Sequence, residues 1–224
     1  MSIGPDRRSF LVAVSGLAAL PALATAGALD QAQAPRPPAG PPAPQTWDLS
    51  WLDSFKGKHK QVFDMGGADV NGDSTLRMPS NYLAMAKEVL KMEPPDINVV
   101  IGIQQTAFPF LASDALWPTF KLGELWKIKD PQTGQPAQRN IFLGQKGGNP
   151  SNTILSLQER GAIFWQCNMA LFGVAAMIAQ AVSRPMPEVR AELIAGFVPG
   201  VKLVPAHTLL VGLVQERGFT YQRV

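Results

Sequence analysis

The sequence predicts an α/β domain on a mostly parallel sheet of about five strands, with helices on both faces. Three observations predict it. Short β-branched runs alternate with helix-length apolar patterns along the chain, which is the rhythm of repeated strand–helix–strand units. The run Ile97-Asn98-Val99-Val100-Ile101-Gly102-Ile103 is apolar almost throughout, as a strand covered on both faces should be. Gly or Pro stands at most boundaries between the two kinds of segment, where turns need them.

Composition sets the limits. Hydrophobic residues make up 46% of the 224 and charged residues 17%, enough apolar material for a core and too little charge for a disordered chain. The formal net charge is +3. Its basic residues are scattered, and the densest group, Lys56, Lys58 and Lys60, reads as a solvated entry to a strand. No nucleic-acid partner is expected.

The chain opens on Asp6-Arg7-Arg8-Ser9-Phe10-Leu11, an apolar stretch to about Ala26, and small-residue cleavage patterns up to Ala32-Gln33-Ala34. Charged, apolar, then small is the order of a secretory signal, and paired arginines make it a twin-arginine one. Residues 1–34 are therefore expected to be removed, leaving a periplasmic protein with no membrane association. Because that route carries folded proteins, it hints at a cofactor without naming one. Residues 35–58 read as a Pro-rich linker and lead-in, with six prolines between positions 34 and 46 favouring a semi-rigid extended spacer. The domain is expected over 59–224, with an insertion at about 104–150.

Within it, Gln61-Val62-Phe63-Asp64-Met65 reads as the first strand, ended by Gly66-Gly67. A turn at Asn71-Gly72-Asp73-Ser74 precedes an amphipathic helix over 76–92, stopped by Pro94-Pro95. After the 97–103 strand comes the long segment, turn-rich but helix-like over 119–126. A helix over 151–160 closes at Gly161, and Ala162-Ile163-Phe164-Trp165-Gln166 forms the third strand. Residues 169–182, apolar nearly all round, suit a buried helix. A short helix over 188–194, a strand over 201–204, a helix over 208–217 ended by Gly218, and a last strand over 219–222 complete the chain.

Cys167, the sole cysteine, excludes an intramolecular disulfide and is the sharpest chemical candidate. It falls at the carboxyl end of a central strand, where open α/β sheets place ligands. The helix beginning there, with Asn168 as N-cap, would aim free N–H groups and a positive dipole end at the sulfur, favouring the nucleophilic thiolate. The same position also suits a buried cysteine packed as a small hydrophobe. His207 directly follows the fourth strand on the same sheet edge, suiting either a thiolate–imidazolium couple or a helix-terminal, solvent-facing residue. Two histidines and one cysteine far apart give no metal pattern. Asp69-Val70-Asn71-Gly72-Asp73 resembles the start of a calcium loop, but Ser74 and Ser80 stand where Gly and Glu are required; it reads as a turn. Neither Gly66-Gly67 nor Gly147-Gly148 forms a nucleotide-binding pattern. Phe108, Phe110, Trp117, Phe120 and Trp126 could line a pocket under the long segment or cover the sheet as core.

From residue 61 onward the chain resembles the DsrE/DsrF-like family of sulfur-relay proteins. The matching pieces are Val99-Val100-Ile101-Gly102, Gly161-Ala162-Ile163-Phe164 leading to Cys167, Val198-Pro199-Gly200-Val201, Leu203-Val204-Pro205, and Gln215-Glu216-Arg217-Gly218-Phe219-Thr220-Tyr221. The resemblance implies a flavodoxin-like three-layer sandwich, homo-oligomeric assembly, and a cysteine, here Cys167, that carries sulfur as a persulfide. A sulfur-donor or acceptor protein would then be a partner. The insertion, with Asp114, Trp117 and Arg139-Asn140, departs from the family pattern. Besides a purely structural role as an oligomer subunit, two functions follow. In one, a solvent-reachable Cys167 binds or relays sulfur. In the other, the protein is a non-catalytic binder of a small ligand or cofactor, held by Asn168, His207, Trp117 and Asp114.

Overall fold

The computed structural model describes residues 46–65, 75–144 and 152–224. The expected signal, most of the Pro-rich linker, the 71–74 turn, and the Gly66-Gly67 and Gly147-Gly148 pairs lie outside the described residues. Five strands form one all-parallel sheet in the order β4-β3-β2-β1-β5. They are β1 (His59–Asp64), β2 (Ile97–Ile103), β3 (Ile163–Cys167), β4 (Lys202–Val204) and β5 (Thr220–Arg223). The fold is the three-layer, flavodoxin-like α/β sandwich the sequence predicts, although flavodoxin itself runs 2-1-3-4-5.

Strand order and handedness together decide where the helices go. From β1 to β4 the chain steps steadily in one direction, so right-handed crossovers put every connection on one face. That face carries α1 (Arg77–Met85), α2 (Leu116–Thr119), α3 (Leu122–Leu125), α4 (Ile154–Glu159), α5 (Asn168–Val182) and α6 (Met186–Ala195). The step from β4 back to β5 runs the other way, and α7 (His207–Glu216) crosses the opposite face. Side-chain alternation follows suit. Ile97, Val99, Ile101 and Ile103 join Phe63, Phe164, Leu171 and Leu193 in the large core, whereas Val62, Val100, Trp165 and Val204 pack with Leu210 and Val214 of α7.

Caps explain several boundaries. Thr153 accepts a hydrogen bond from the Ser156 N–H at the start of α4, 3.3 Å away, and Gly161 and Gly218 end α4 and α7 at φ +80° and +84°, as the sequence indicates. The first helix ends earlier than its pattern suggests. It widens into a π-type turn, Ala86–Leu90, and stops at left-handed Lys91, before the Pro94-Pro95 pair.

Three expectations are corrected. The lead-in is not all linker: the turn Ser50–Ser54 and Phe55 lie against α7 and β5, with Leu52 1% and Phe55 7% exposed and the Phe55 and Phe219 rings 5.2 Å apart. The helix-like 119–126 segment holds a single turn, α3, separated from the preceding turn α2 by a break at Lys121 with φ +50°. Helix α5 is buried along one side only. Met169, Phe172 and Met177 are exposed, because the sheet and α6 together cover only part of the helix surface.

Over its described residues, 104–144, the insertion is an ordered layer. Its Ser113 N–H donates to Gly196 O and its Leu111 O accepts from the Val198 N–H, tying it to the α6–β4 connection. Its centre is Asn140, 3% exposed. The Nδ2 donates to Phe110 O (2.9 Å) and Ala112 O (2.8 Å), the main-chain N–H to Asp114 Oδ1 (2.8 Å), while Oδ1 accepts from the Phe142 N–H (2.9 Å). A buried amide satisfied this fully fixes the chain segments it joins.

Candidate functional site

The site grows out of one transverse row of the sheet. Arg223, Asp64, Gly102, Trp165 and Lys202 are paired in register across β5, β1, β2, β3 and β4. By alternation their side chains share the α7 face with Val62 and Val100. Cys167, two residues beyond Trp165, lies on that face at the carboxyl end of β3. Chain order reverses at β1, with β2 on one side and β5 on the other. Asp64 therefore ends the strand at the topological switch point, where such sheets hold ligands.

His207, the first residue of α7, links Asp64 to Cys167. Its ring lies over Gly102: a Cβ there would come 2.5 Å from His207 Cε1 and 2.7 Å from the Trp165 ring. Glycine in mid-strand is what permits this approach. The Trp165 Nε1–H donates to His207 Nδ1 at 3.1 Å. Indole N–H is a donor only, so Nδ1 must be the unprotonated nitrogen and the ring proton sits on Nε2. Nε2 lies 3.0 Å from Asp64 Oδ1, in polar contact but off-line for a well-formed hydrogen bond. The Tyr221 O–H donates to the other Asp64 oxygen, Oδ2, at 2.8 Å. This bond and the nearby carboxylate charge hold the Tyr221 phenol above its ordinary value of 10.0, since losing the proton would set two anions side by side.

Cys167 is met by main chain rather than by the imidazole. The N–H of Ala170 in α5 donates to Sγ at 3.4 Å and the N–H of His207 in α7 at 3.3 Å. Both donors belong to first helical turns, whose N–H groups have no partner inside their own helix. The sulfur is thus the N-cap acceptor of α5, a place the sequence assigned to Asn168. With Cys167 extended at ψ 120°, the next residue is already helical, and the Asn168 amide oxygen instead accepts from Arg190 Nη2 of α6. That guanidinium also stacks 4.4 Å from the Phe172 ring.

Other site expectations change with burial. Cys167 is 5% exposed, so the sulfur is not openly solvent-reachable; its near neighbours are nonetheless N–H donors. His207 is helix-terminal as expected but 3% exposed and not solvent-facing. Its ring nitrogens are taken up by Trp165 and Asp64, so the thiolate–imidazolium couple does not form in this arrangement. Trp117 is wholly buried in the opposite core and donates to Ala112 O. Asp114 accepts from Asn140 within the insertion. Cys167 and His207 are brought together; Trp117 and Asp114 belong to the other side of the sheet. Among the described residues no group of three or more His, Cys, Asp or Glu is placed to hold a metal ion.

Asp64, Gly102, Trp165 and Tyr221 complete the arrangement and were not singled out from sequence. Two signals pointed to them: a carboxylate closing an otherwise apolar strand, and a glycine interrupting a β-branched one. Comparison with known proteins adds little. No family model and no curated protein matches the chain. A solved structure of a protein of unknown function from Methanobacterium thermoautotrophicum is similar at 14% identity and a TM-score of 0.35, covering 74% of this chain and 99% of that one.

Proposed function

We propose that this is an exported sulfur-handling protein of the DsrE/DsrF type in which Cys167 takes up one sulfur atom as a persulfide. The observation that carries the reading is the convergence of two N–H donors, from two different helices, on Sγ. Hydrogen bonds of this kind favour negative charge on their acceptor, and the anionic sulfur is the attacking species. The thiolate attacks a terminal sulfur of a polysulfide. A new S–S bond forms on Sγ as the donor's S–S bond breaks, and the shortened polysulfide leaves with the electron pair. No external oxidant is consumed.

The burial of Cys167 favours a small inorganic donor over a bulky protein one for loading. The twin-arginine pattern supports a periplasmic setting. The aromatic-lined cleft of the alternative reading finds less support, because Trp117, Phe108, Phe110 and Phe120 are all packed into the core.

Intact-mass measurement of the mature protein after polysulfide treatment tests the proposal. Wild type gains one sulfur, reversed by dithiothreitol, and Cys167→Ser gains none. A wild-type mass that stays unchanged removes the sulfur-handling reading.

A further inference from the structure

Resting on the assignment of Cys167 as the sulfur-bearing group, we infer that Asp64, Gly102 and Trp165 are positioning residues that act on Cys167 through His207. They fix the first residue of α7 so that its main-chain N–H stays on the sulfur. The role of His207 is then carried by its backbone, not by proton transfer from its ring.

The Cys167 sulfur has two donors, and they are secured differently. Ala170 lies three residues on from Cys167 in the same chain segment, so its N–H is delivered by the local geometry of the strand-to-helix turn. His207 is 40 residues away, and only tertiary contacts can bring its N–H to the same point. Pairing of Val204 with Cys167 and packing of Leu210 and Val214 bring α7 close, and the contacts specific to its first residue meet the imidazole: Trp165 Nε1–H on Nδ1, Asp64 at Nε2, and the floor left open by Gly102. No ring nitrogen faces Sγ, so the ring can influence the sulfur only by holding its own main chain in place. Asp64 is steadied in turn by the Tyr221 O–H. The three fixing groups come from β1, β2 and β3 of one register row, so the anchorage is built into the sheet itself.

Acid–base and positioning roles are separated by conservative replacement. Asp64→Asn keeps an oxygen in polar contact with Nε2 and another polar atom for Tyr221 but removes the charge a proton relay needs. Asp64→Ala removes both, and Gly102→Ala displaces the imidazole without removing any titratable group. Two readouts apply to each variant: the rate of sulfur loading from polysulfide, and amide hydrogen exchange at His207 and Ala170. Asp64→Ala and Gly102→Ala should slow loading about 10-fold, the scale of one hydrogen bond to a charged acceptor. They should speed exchange at His207 by a similar factor and leave Ala170 unchanged, while Asp64→Asn stays within about 2-fold of wild type in both. An Asp64→Asn rate as low as that of Asp64→Ala would overturn positioning in favour of charge. Unchanged His207 exchange in both disruptive variants, or faster loading in either, would overturn it as well. Should Gly102→Ala fail to fold, the two Asp64 variants still decide. A wild type that takes up no sulfur defeats the sulfur-handling reading alone, because the exchange measurements judge the clamp independently.

Discussion

The two faces of the sheet are built to different specifications. One is covered by α1 through α6 and a well-ordered insertion, with Trp117, Phe108, Phe110 and Phe120 wholly buried there and Asn140 closing its polar accounts. The other is covered by α7 and the turn Ser50–Ser54. Asp64, His207, Trp165 and Cys167 all lie on this thinner face. A buried polar group costs stability unless it finds a partner, and the strand ends on the thin face bring several polar groups within reach of one another. The molecule thus divides its labour: bulk stability comes mainly from one face, and the arranged chemistry sits on the other.

Substitution in the deep layer should have the largest effect. Trp117→Ala removes a wholly buried indole and should cost about 3–5 kcal/mol in denaturant unfolding. In the fraction that stays folded, sulfur loading at Cys167 should match wild type. A loading defect without unfolding would break the division between faces.

The thin face should lose less. Leu52→Ala, at a side chain 1% exposed, is expected to cost about 2–3 kcal/mol, because a shallow layer can close over the gap. A cost as large as that of Trp117→Ala would show that the two faces are equally deep. Any clear cost confirms that residues before β1 are part of the domain.

Cys167 provides a smaller and more selective contrast. Cys167→Ser keeps an acceptor for the Ala170 and His207 N–H groups and should leave stability nearly unchanged. Cys167→Ala strips the N-cap from α5 and should cost about 1 kcal/mol. Equal stability of the two would mean that the sulfur does not cap the helix.

The smallest effect is a pH dependence. The Tyr221 phenol is raised, first by its hydrogen bond to Asp64 and then by burial and the Asp64 charge. The folded protein therefore holds this proton more tightly than the unfolded chain. The resulting stabilisation is complete below pH 10.0, the ordinary tyrosine value, and is lost as pH rises through the folded-state value. Stability should decline more steeply above pH 10.0 in wild type than in Tyr221→Phe; identical alkaline profiles would count against the Tyr221–Asp64 bond.

Much of the architecture was readable from local chemistry, and much of the site was not. The β-branched run at 97–103 and the glycines at 161 and 218 mark a strand and two helix ends, because chain stiffness and left-handed backbone are properties of single residues. Cys167 was legible as a strand-end thiol facing a helix start. Its second donor was not, nor was the burial of His207, because both depend on where α7 comes to rest. The reach of the insertion was misjudged for a similar reason. Trp117 and Asp114 look available in a turn-rich stretch, yet Asn140 draws that stretch into a closed layer through bonds spanning 26 to 31 residues.

The sequence by itself determined which segments are strands, that they run parallel, and that one sulfur ends a central strand, since these follow from side-chain periodicity and the short reach of turns. Only the tertiary structure decided that β5 lies beside β1, that the imidazole proton faces Asp64, and that two helices donate to a single sulfur. Each of these is a contact between distant parts of the chain, such as Tyr221 and Asp64, 157 residues apart. Such contacts form only when one strand order and one crossover hand are chosen together.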